Sequence, residues 1–122
     1  MSHQHYLRSA LLLQATEGLD PWTALMRVLL ARLRTIDLRE ALLPALAQAD
    51  RHWNGQPGDL MASKLEVWGY IDVIGPGGAD LDMPEGRVAR ALLCVLEPEG
   101  DDEAQSDFAE WFALMLDGDE TT

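Results

Sequence analysis

The sequence has one lysine, Lys64, one cysteine, Cys94, and three histidines, His3, His5 and His52, in 122 residues. Each scarcity removes a class of chemistry. A single cysteine forms no internal disulfide and cannot assemble a cysteine-rich metal site, which fits a reducing compartment. Cys94 lies in the apolar run Ala-Leu-Leu-Cys-Val-Leu. Such surroundings raise a thiol pKa and leave the group inert, so Cys94 reads as a small core residue. Two of the histidines fall at the N-terminus, and a zinc site would have to recruit carboxylates from unrelated places. No metal and no cofactor are expected.

Long apolar runs are also missing. The longest are of the kind Ala91 to Leu96, far short of the roughly 18 consecutive apolar residues of a membrane span. The N-terminal Met-Ser-His-Gln-His-Tyr and the short run Ala10 to Leu13 carry neither the basic start nor the small-residue cleavage site of a secretory signal. A cytoplasmic location is the expectation.

Catalytic signatures are scarce as well. Gly75-Pro76-Gly77-Gly78 has neither dinucleotide-fingerprint spacing nor a following Lys-Ser or Lys-Thr pair, and Pro76 removes a backbone donor. The stretch reads as a turn. No Gly-x-Ser-x-Gly elbow occurs. The carboxylate pair Asp80 and Asp82 is followed by Pro84 and Glu85, which do not fit a calcium loop. The chain is therefore expected not to be an enzyme.

Positive charge is depleted on one side of the chain. Residues 1 to 51 carry six arginines against Glu17, Asp20, Asp37, Glu40 and Asp50, whereas from His52 onward only Lys64, Arg87 and Arg90 oppose sixteen acids. The net charge of −12 therefore belongs to the second half. Nucleic-acid binding needs clustered Lys and Arg, and an anionic membrane would be repelled, so neither is an expected partner. A basic protein would be attracted, more weakly as salt rises.

What is present is ordinary globular composition, 48% apolar and 25% charged, in a length suited to one core. Helical periodicity recurs along the chain. His5 to Glu17 carries Leu7, Ala10, Leu11 and Gln14 on one stripe before Gly18. Asp20 and Pro21 then open a helix in which Trp22, Leu25, Met26, Leu29, Leu30 and Leu33 share a face. Asp37 with Glu40 suggests a third N-terminus, with Leu42, Leu43, Leu46, Ala47 and Trp53 on its apolar face and Pro44 forced to kink or split it. Residues 59 to 74 fit a helix capped by Asp59 or, through Leu65, Val67, Ile71 and Val73, a strand; helix is favoured to about Tyr70. Pro84 opens a helix through Leu96, and a last one carries Phe108, Trp111, Phe112 and Met115.

The expected fold is all-α, a bundle of five to six helices with a Gly/Pro-rich central loop. A single helical domain would span residues 1–118, with 119–122 a mobile acidic tail. The four tryptophans, Trp22, Trp53, Trp68 and Trp111, read as core residues, with Trp68 and Trp53, beside the central loop, the first candidates for partner contacts.

Three segments, Leu-Leu-Pro-Ala-Leu-Ala-Gln-Ala-Asp-Arg-His-Trp at 42 to 53, Lys-Leu-Glu-Val-Trp-Gly-Tyr-Ile-Asp at 64 to 72 and Val-Ala-Arg-Ala-Leu-Leu at 88 to 93, together with the last aromatic helix, carry a family resemblance. The sequence resembles the all-helical immunity proteins of bacterial polymorphic toxin systems, in particular the sixth-numbered immunity family. The resemblance implies a small cytoplasmic protein that binds and neutralises a cognate toxin, and it transfers no site residue. The charge pattern suggests a basic toxin domain, met by Asp80, Asp82, Glu99, Asp101, Asp102, Glu103 and Trp68. The alternative is a helical adaptor or regulatory subunit of a larger assembly, using an exposed apolar face and forming a homodimer.

Overall fold

The computed structural model describes residues 3–74 and 84–117. Among these, six α-helices follow one another: α1 (His3–Glu17), α2 (Pro21–Leu33), α3 (Leu43–Trp53), α4 (Leu60–Ile74), α5 (Pro84–Leu93) and α6 (Asp102–Asp117), with a 3₁₀ turn at Glu40–Leu42 before α3. The all-α expectation holds. The ambiguous segment resolves to helix from Leu60, and α4 continues past Tyr70 to Ile74. The Gly75 to Gly78 turn, Asp80, Asp82 and the tail 119–122 lie outside the described residues.

Each helix packs on the next in sequence, and α1 closes the ring by packing on α6. The helix α2 also touches α6, and its face Trp22, Ala24, Leu25, Met26, Leu29, Leu30 and Leu33 is buried. Asp20 starts this helix by accepting from the Thr23 amide at 3.1 Å and the Thr23 hydroxyl at 2.6 Å. Those bonds hold its carboxyl below the ordinary value, so the cap is ionised where it faces the positive helix end. Gly18, at φ +69°, ends α1 in the left-handed conformation that glycine adopts without penalty.

The sequence reading places the start of α3 too early. Asp37 caps nothing; the chain instead makes the 3₁₀ turn and α3 opens at Leu43, with Pro44 in its first turn. A proline ring clashes with the carbonyl four residues back, here that of Glu40, so the helix opens with Pro44 in its first turn instead of running through it. Its buried side is Ala45, Ala49 and Trp53, while Leu43 and Ala47 face outward. At its other end the Arg27 guanidinium donates to the Trp53 carbonyl at 2.7 Å, satisfying a helix-terminal acceptor.

The helix α5 is shorter than its apolar run suggests. It stops at Leu93, and Cys94, Val95 and Leu96 continue as tight turns whose amides bond to carbonyls three residues back. Tryptophans from two other helices anchor this segment. Trp22 Nε1 donates to the Glu97 carbonyl at 3.0 Å, and Trp53 Nε1 donates to the Val95 carbonyl at 2.8 Å. Gly100 leaves room for the first indole: a Cβ there would stand 2.4 Å from the Trp22 ring.

A candidate docking groove between two tryptophans

Helices α4 and α6 both pack on α5, and a groove of about 440 Å³ opens where Trp68 of α4 and Trp111 of α6 stand over the end of α5. Phe108, Leu93 and Cys94 complete its apolar lining. Trp68 is 39% exposed and Trp111 40%, against 5% for Trp22 and Trp53. The two indoles that find carbonyl partners are in the core; the other two face the groove.

Charged groups edge this cleft in matched numbers: Lys64 and Arg90, Glu97 and Asp107. The cations are engaged within the molecule. Lys64 Nζ donates to Glu97 at 2.6 Å, and the Arg90 guanidinium lies 5.3 Å from the Trp68 ring centroid, a cation–π distance that steadies the indole. The outer side of α6 carries exposed Glu103, Asp107 and Glu110 at helical spacing beside Trp111. No basic residue follows Arg90 in the sequence to offset them.

A second depression, about 790 Å³, adjoins the first. It is lined by Leu60, Met61, Pro57 and Leu96, and shares Lys64 and Glu97 with the groove. The ion pair is therefore the saddle between two basins of one trough. From α4, Met61 lines this second basin and Trp68 the first, and Leu65 and Val73 are also exposed on that helix.

The residues expected to meet a partner do not all gather here. Trp68 lies in the groove, and Glu99, Asp101, Asp102 and Glu103 are all exposed. Asp101 has a second duty as the N-cap of α6, its carboxylate accepting from the Ala104 amide at 2.9 Å. Asp102 lines a separate hollow of about 250 Å³ with Leu7 and Leu11 of α1. Asp80 and Asp82 lie outside the described residues. Trp53, the other tryptophan favoured for contact, is buried because its indole is tied to Val95. Trp111, a core residue by its helical spacing, is exposed.

Cys94 is buried, its thiol pushed up to about 12 by loss of water, so it supplies apolar floor and no nucleophile. Among the described residues, no group of three or more His, Cys, Asp and Glu is placed to hold a metal ion. None of their helices is long and apolar enough to cross a membrane. No protein-family model, curated protein or solved structure matches the chain.

Proposed function

We propose that this chain is a small protein-binding inhibitor that seats a basic partner, a toxin domain in the reading the sequence resemblance favours, against the Trp68–Trp111 groove and excludes the partner's substrate by occupancy. The observation that carries the proposal is the pairing of two half-exposed tryptophans across an apolar floor, beside an α6 face whose charges are all negative. Tryptophan often supplies the anchoring energy of protein interfaces, and a complementary field speeds the encounter. An adaptor role in a larger assembly is the second reading, and exposed Met61, Leu65 and Val73 on α4 favour it.

Salt separates the two, because charges on exposed surfaces are screened beyond roughly 8 Å at physiological ionic strength while apolar contacts are not. The tagged protein, incubated with lysate of its source cells at low salt, is expected to retain one basic protein and release it at high salt. Recovery of a multi-subunit complex indifferent to salt would replace the inhibitor with the adaptor.

A further inference from the structure

The two basins dictate the shape of what fills them. Met61 lines one and Trp68 the other, seven residues apart on α4. At 1.5 Å per residue and 3.6 residues per turn, that is two turns of the same face and a separation of about 10.5 Å. An α-helix laid alongside α4 repeats the same interval, so its residues i and i+7 reach the two basins together. Residues i+3 and i+4 then cross the Lys64–Glu97 saddle.

The walls specify the rest. On the α6 side, Asp107 lines the groove and Glu103 and Glu110 are exposed on the same helix with no base beside them, whereas Lys64 is already bonded to Glu97 and Arg90 lies against the Trp68 ring. A second copy of this chain, also at −12, is the wrong complement. Resting on the partner-binding reading above, we infer that the trough holds one amphipathic helix of a basic partner protein. Its large apolar residues stand at i and i+7, one against Met61 and Leu96 and one between Trp68 and Trp111, and its Lys or Arg residues lie on the flank toward α6. This is helix-in-groove recognition, with anchors on one stripe giving register and charge giving orientation.

Two stapled helical peptides of identical Leu, Ala and Lys content test it, one with leucines at i and i+7, the other with them at i and i+5 on different faces. Binding is followed on the four indole N–H signals in nuclear magnetic resonance spectra. The i, i+7 peptide should bind about tenfold more tightly, moving the Trp68 and Trp111 signals while those of Trp22 and Trp53, bonded to Glu97 and Val95, stay in place. Met61→Lys, at an exposed position, should cancel that preference with the thermal unfolding midpoint unchanged, and Trp68→Ala should cancel it in protein whose Trp22 and Trp53 signals keep their folded positions. Equal binding of the two peptides, or shifts confined to other parts of the molecule, overturns the helix register. Binding of neither peptide by protein that still captures a basic partner overturns the trough alone; loss of both removes the partner reading too.

Discussion

An indole N–H that leaves water needs an acceptor, and in this molecule that requirement divides the tryptophans. Trp22 and Trp53 donate to carbonyls of the segment just after α5, whose amides bond back to the end of α5 while the Val95 and Glu97 carbonyls take the indoles. Each bond satisfies both sides of a buried polar contact. Trp53→Phe would strand the Val95 carbonyl and should lower stability by about 2 kcal/mol in denaturant titrations. Trp111→Phe, at an indole that faces solvent, should change it by less than about 0.5 kcal/mol. Similar losses at the two sites would contradict the division between anchoring and displayed tryptophans. Nothing in the residue type distinguishes them. The sequence shows four tryptophans on helical faces, and only the fold shows which two reach an acceptor.

The helices themselves explain which sequence readings held. Where large apolar residues form one stripe, as in α2, pattern and burial coincide. Two other helices carry competing stripes. In α4 the buried residues are Leu60, Ser63, Val67 and Ile71, and Met61, Leu65 and Trp68, one or two positions further on, are exposed. In α6, Ala109, Phe112 and Ala113 are buried, whereas Trp111, two residues from each alanine and so about 200° around the helix, is not. The first helix repeats the case, burying Tyr6 and Ala10 while Leu11 and Leu12 are exposed. Small residues let neighbouring helices approach closely, and a reading weighted by hydrophobicity passes over them. The buried polar Ser63 hides the true stripe of α4, and the two alanines hide that of α6. Helix existence, the Asp20–Pro21 start, the Asp59 cap and the Gly18 stop are local chemistry and legible in the sequence. The groove arises from how α4 and α6 flank α5, which no local signal contains.

A substitution pair follows that runs against hydropathy. Ser63→Leu should destabilise the fold by roughly 1–3 kcal/mol, because the added atoms have no space between α4 and its neighbours. Leu65→Ser, on the outward stripe, should leave stability within about 0.5 kcal/mol. Thermal unfolding of both variants reads the contrast directly, and the reverse order would mean that α4 is turned the other way.

At the scale of the whole molecule, the six helices bury one core and still leave eight large apolar side chains exposed among the described residues, four of them on α4. Scattered exposed leucines are normal, but a helix with apolar residues on both sides implies a second surface that is covered in use. Charge selects among the coverings. With ten acids and no bases after Arg90, the charge disfavours copies of itself and favours the proposed basic partner. The expected division of labour is that the field sets the rate of encounter and the tryptophans set the lifetime of the complex.

The most direct test is to titrate the captured partner with wild-type protein and with the Trp68→Ala/Trp111→Ala double variant, at low and at high salt. The double variant, folded and equally acidic, should bind at least about a hundredfold more weakly, and salt should slow association of the wild type while scarcely changing its dissociation. Equal affinity of the two proteins would contradict the claim that the groove is where this chain meets its partner.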